Sequence, residues 1–114
     1  MRLAIVGSRN FHDYQSFKTA VLKVLNGIKP EVIISGGCRG TDKMAEVFAK
    51  ENSIEVLIFP ADCEQFGKGG FLLRNTEIVN ACTHMIAFPS RTGRGTQDSI
   101  RKAKDKILKI LYVD

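Results

Sequence analysis

Short apolar runs alternate with amphipathic stretches from one end of the chain to the other. Residues 3–7 (LAIVG) are apolar throughout, as a strand buried on both faces should be. Residues 14–27 then place Phe17, Val21, Leu22, Val24 and Leu25 at helical spacing, and Asn26-Gly27 supplies a stop. The run EVIISGG (31–37) predicts a second strand. TDKMAEVFAKEN (41–52) predicts a helix with Met44, Ala45, Val47 and Phe48 turned inward. IEVLIFP (54–60) is a third strand ended by Pro60, and the loop ADCEQFGKGG leads to a helix over FLLRNTEIVNAC (71–82). HMIAFP (84–89), TQDSIRKAKDK (96–106) and ILKILYV (107–113) complete the series as strand, helix and strand.

This alternation predicts an α/β fold. It is a small doubly wound parallel sheet of about five strands, with helices on both faces, formed by a single domain over residues 1–114. In such sheets ligands lie beyond the carboxyl ends of the strands, where the strand order reverses. Glycine loops follow strands one, two and four: GSR, GGCRGTD and GRGT. Turn chemistry accounts for each loop singly. It does not account for an arginine in all three at the one edge where ligands bind.

Composition narrows the classes. The chain has 114 residues and 44% hydrophobic content, enough for one core. No apolar run approaches a membrane span, and the first residues do not read as a signal peptide, so a cytoplasmic location without membrane partners is expected. Cys38, Cys63 and Cys82 form no CxxC pair, and no HExxH or Ser-His-Asp set is visible, so no metal or cofactor is expected. Between Arg91 and Lys109 seven basic residues (Arg91, Arg94, Arg101, Lys102, Lys104, Lys106, Lys109) face two acids (Asp98, Asp105). That segment carries the whole net charge of +5, which suits an anionic partner or a solvated helix face.

The loops supply the candidate chemistry. Gly7 admits a ligand to the backbone, Ser8 offers a hydroxyl and Arg9 a bidentate donor. In the second loop Gly36, Gly37, Arg39, Gly40 and Thr41 precede a helix, whose N-terminal amides and dipole favour an anion. There is no GK[ST], so this is not a Walker loop. Asp42 suits either first-turn stabilisation or a sugar hydroxyl. Lys68 falls in the loop after strand three, and Arg74 and Asn75 in the first turn or two of the helix that follows it, at the margin of its apolar stripe. Arg94, Gly95 and Thr96 form a further anion cradle, and Asp98 in the first turn suits dipole compensation, a sugar contact or acid–base work. Tyr14, Tyr112 and the phenylalanines read mainly as core, although Phe11 and Phe66 each adjoin a glycine loop.

The segments IVGSRNF, ISGGCRGTDKMAEVFA, FGKGG with RN after it, and AFPSRTGRGT occur in order over nearly the whole chain. Together they resemble the SLOG superfamily of DprA/Smf DNA-processing proteins and LOG phosphoribohydrolases, and within it the small YspA-like branch. The resemblance implies a Rossmann-like fold binding a nucleotide or an ADP-ribose-like ligand through these loops, as sensor, carrier or sequestering protein. Partners implied are that small molecule and a second copy of the chain. The LOG loop PGGxGTxxE implies an alternative, N-glycosidic cleavage of a nucleoside monophosphate. Arg74 would then match the catalytic arginine and Asp98 would stand for the glutamate, one methylene shorter. PGG is only partly reproduced, because SRT intervenes after Pro89. A third reading, following DprA, is a single-stranded DNA module.

Overall fold

The computed structural model describes residues 1–60, 68–91 and 95–113. Its elements are β1 (Arg2–Gly7), α1 (Tyr14–Leu25), β2 (Val32–Ser35), α2 (Thr41–Glu51), β3 (Glu55–Ile58), α3 (Lys68–Ala81), β4 (His84–Phe88), α4 (Gly95–Lys102) and β5 (Ile107–Ile110). All strand pairs are parallel, in the order β3-β2-β1-β4-β5. The order reverses between β1 and β4, so their carboxyl ends flank the crevice of a doubly wound fold.

Alternation along the strands divides the core in two. Leu3, Ile5, Ile33, Ile86 and Phe88 pack with Phe17, Val21 and Leu25 of α1 and with Met44, Ala45 and Phe48 of α2. Ala4, Val6, Val32, Ile34, Met85 and Ala87 face the other way, onto Ile78 and Val79 of α3 and Ala103 after α4. Phe17 is the hub of the first layer, with its ring 5.2 Å from Phe88 and 6.3 Å from Phe48.

Local signals set the ends of α1. Asp13 accepts from the Ser16 amide (3.1 Å) at its start, and Asn26 takes the left-handed conformation (φ 49°) at its end.

Several expectations are corrected. Leu22 and Val24 are exposed, because Phe17, Val21 and Leu25 at four-residue steps already fill the stripe that faces the sheet. Val47 is likewise exposed while Met44, Ala45 and Phe48 are buried. α3 begins at Lys68, before Phe71. α4 ends at Lys102, after which the Lys106 amide turns back onto the Ala103 carbonyl. Both sheet faces were expected to be covered throughout, yet β3 and much of β5 are exposed, since each edge strand has one neighbour instead of two. The regular part of β5 ends at Ile110, but the amides of Leu111 and Val113 still bond the carbonyls of Ala87 (2.8 Å) and Pro89 (3.2 Å). No described helix is long and apolar enough to cross a membrane.

Candidate functional site

The turns after β1 and β2 are bonded to each other and to β4. The Ser8 amide donates to the Phe88 carbonyl (2.9 Å). The Ser8 carbonyl accepts from both the amide (3.2 Å) and the hydroxyl (2.9 Å) of Thr41, the first residue of α2. Ser8 Oγ accepts from the Asn10 amide at 3.1 Å. Contact is too close for side chains at the joints. A Cβ at Gly40 would meet the Arg9 carbonyl oxygen at 2.5 Å, and one at Gly7 would meet Thr41 Oγ1 at 2.6 Å.

The loop after β2 spends much of its donor capacity on itself. The Gly37 amide donates to Ser35 Oγ (3.4 Å), and the Cys38 amide donates to Asp42 Oδ2 (3.0 Å). Asp42 is buried. Burial pushes its carboxyl above the usual range, against the opposing pull of the Cys38 bond and the Arg74 charge. Asp42 therefore braces the loop as an acceptor for Cys38, which agrees with the first-turn stabilising role weighed for it beside a sugar contact. Thr41 is fully committed to Ser8. Arg39 stands at the exposed rim, and among the described residues no hydrogen bond or ion pair engages its guanidinium.

Arg74 and Asn75 reach the site from the opposite wall. Arg74 Nη1 donates to the Gly36 carbonyl at 3.0 Å and approaches Cys38 Sγ at 3.6 Å, while its Nε donates to Asn75 Oδ1 at 3.0 Å. Asn75 is 4% exposed. Its Nδ2 donates to the Gly95 carbonyl (3.3 Å) and to Asp98 Oδ2 (3.2 Å). Asp98 Oδ2 also takes Lys102 Nζ at 2.9 Å, and Oδ1 takes Arg101 Nη2 at 3.1 Å. One polar chain thus runs from the loop after β2, through α3, into the first turn of α4.

Burial alone would raise the Asp98 carboxyl, but bonds from Lys102, Asn75 and Arg101 outweigh it and hold the group below its ordinary 3.8. A depressed carboxyl stabilises the fold above the unfolded value, and that contribution is lost as the pH falls through the folded value. Asp98→Asn should therefore lower stability by about 1.5–3 kcal/mol at neutral pH, the range of hydrogen bonds to charged groups. Urea denaturation at a series of pH values should show the deficit closing below the ordinary carboxyl range; a deficit independent of pH would refute the assignment.

The expected residues thus fall into two sets. Gly7, Ser8, Arg9, Arg39, Gly40, Gly95 and Thr96 lie at the carboxyl edge. Thr41, Asp42, Asn75 and Asp98 are buried and bonded to protein beneath it. Gly36 belongs to both sets, because its buried position adjoins Arg74, and Gly37 turns the loop with φ 73°. Arg94, Phe66 and the Lys68 side chain lie outside the described residues. Phe11 packs on Phe88, 5.5 Å between centroids, and so belongs to the core. The glutamate of PGGxGTxxE sits three residues after its threonine, a position held here by Ser99. Asp98 is one residue earlier, about 100° around the helix, and points into the α3 contact. Neither the reach of Arg74 to Gly36, 38 residues away, nor the Asn75–Asp98 bond has a signature in spacing. Adjacent polar residues at the edge of an apolar stripe were the available hint. Among the described residues no group of His, Cys, Asp and Glu could hold a metal ion.

A family model described as the YspA, cpYpsA-related SLOG family (YAcAr) matches residues 1–66. No curated protein matches the sequence. Among solved structures, DNA processing protein A (DprA) from Streptococcus pneumoniae superposes with a TM-score of 0.74 at 17% identity, covering 99% of this chain and 50% of its own. DNA processing protein A from Helicobacter pylori, described for its single-stranded DNA binding mode, gives 0.69 at 23% identity, covering 96% of this chain and 64% of its own. The chain therefore spans about half to two thirds of these neighbours, and at such identities the likeness is one of fold.

Proposed function

The chain belongs to the YspA, cpYpsA-related SLOG family, and we propose that within it the protein binds a nucleotide or nucleotide-derived ligand, ADP-ribose-like in character, at the carboxyl edge of the sheet. One observation carries this reading. The turns after β1 and β2 and the start of α4 are tied around the β1–β4 crevice, with the Arg39 charge left at the rim without a partner among the described residues. Such an edge offers backbone amides, a helix N-terminus and a guanidinium to a phosphate. Among the described residues a Cβ at Gly95 would meet nothing within 4 Å. Binding as sensor, carrier or sequestering protein asks no more of the site than this. Cleavage would ask Arg74 and Asp98 to leave the partners that now hold them.

A thermal-shift series across AMP, ADP, cyclic nucleotides and ADP-ribose tests the reading. A ligand at about 100 times its Kd should add roughly 2.7 kcal/mol of stability. No shift with any of them would refute it.

A second reading, a single-stranded DNA module, draws on the Helicobacter pylori neighbour and on the basic stretch from Arg91 to Lys109. It requires binding at low salt that weakens steeply as salt is raised.

A further inference from the structure

We propose that Tyr112, with Arg91 beside it, is the platform on which the base of the bound nucleotide stacks. The inference rests on the nucleotide reading above and adds a subsite that the glycine loops do not contain.

Tyr112 reads as core in the sequence, within the apolar run ILKILYV. In the structure the residue is 52% exposed. The cause is its place on an edge strand. Leu111 and Val113 turn into the layer beneath α1, so Tyr112 between them turns to the opposite face, the one covered by α3 and α4. The bonds from Leu111 to Ala87 and from Val113 to Pro89 carry the strand on past Ile110. They bring Tyr112 level with the carboxyl end of β4, whose continuation leads to α4. Arg91, on that continuation, sets its guanidinium over the Tyr112 ring, 5.2 Å from its centre. A half-exposed aromatic ring with a guanidinium layered on it is the kind of surface on which bases stack, because every base has a π-face.

The spacing fits one ligand. From β1, where Ser8 and Arg9 emerge, to β5 is two strand intervals, roughly 10 Å. That is comparable to the reach from phosphate to base in a nucleotide. The start of α4 lies on the same face as the tyrosine ring, and among the described residues nothing would lie within 4 Å of a Cβ at Gly95. A phosphate held at the loops would place its base toward Tyr112.

Calorimetric titration of AMP and of ribose 5-phosphate into wild type, Tyr112→Ala and Tyr112→Phe separates the parts. Tyr112 is on the surface, so both variants should fold, and circular dichroism checks this. Tyr112→Ala should weaken AMP about 5- to 160-fold, the range of base–aromatic stacking. Ribose 5-phosphate should bind all three alike, and Tyr112→Phe should keep AMP affinity. Unchanged AMP affinity in Tyr112→Ala, or equal loss of both ligands, overturns the platform while the nucleotide reading stands. Wild type that binds neither ligand overturns both.

Discussion

Gly40→Ala should cost about 4 kcal/mol of stability, a fall in Tm on the order of 15 °C for a chain of this length. Two effects add. Gly40 has φ 74° and ψ −125°, a conformation nearly confined to glycine, which costs a residue with a Cβ roughly 1–3 kcal/mol. The new methyl would also lie 2.5 Å from the Arg9 carbonyl oxygen and 2.6 Å from that of Ser8. These are backbone atoms, so relief requires the turn after β1 to move, with an overpacking cost of roughly 1–3 kcal/mol. Gly27 is the control. It has φ 85°, but a Cβ there would meet nothing within 4 Å. Gly27→Ala should therefore show the strain alone, about 1 kcal/mol. Denaturation of the two variants side by side checks the account; equal losses would mean that the contact between the turns contributes nothing.

Asn75→Ala should cost about 2–3 kcal/mol, because it leaves Arg74 Nε without its acceptor and takes a donor from the buried Asp98. The effect should be local to two distant loops. Amide exchange should quicken around Gly36–Cys38 and around Gly95–Asp98 together, since Asn75 is the link between them. Asn75→Asp should be worse at neutral pH. It sets a second carboxylate near Asp98, and two like charges at that range cannot both ionise without cost. One carboxyl of the pair then takes a raised value, so the penalty should shrink as the pH falls and that group binds its proton. Exchange that quickens in one loop only would show that the chain of bonds does not couple them.

These two sites illustrate what the sequence discloses. The order of elements was legible because each strand is a short apolar run and each helix carries an amphipathic stripe. The edge that gathers the glycine loops was legible because three strands end in them. The roles of Asp42, Asn75 and Asp98 were not. A polar residue in the first turn of a helix, as Asp42 and Asp98 are, or at the margin of an apolar stripe, as Asn75 is, reads alike whether it faces a ligand or a neighbouring loop, and only the folded contacts distinguish the two. Tyr112 was misread for the complementary reason. An apolar run gives no sign of whether its strand lies at the centre or the edge of the sheet. Exposed Leu22, Val24 and Val47 show the same limit, since helical spacing admits more apolar residues than the sheet has room to bury.

The central claim is that a nucleotide binds where the turns after β1 and β2 meet the start of α4. Its most direct test is an amide chemical-shift map of the protein titrated with ADP-ribose. Saturable shifts are expected, concentrated at Ser8, Arg9, Arg39, Gly40, Gly95 and Thr96. Shifts centred instead on the outer face of α1 and α2, or no shifts at saturating ligand, would contradict it.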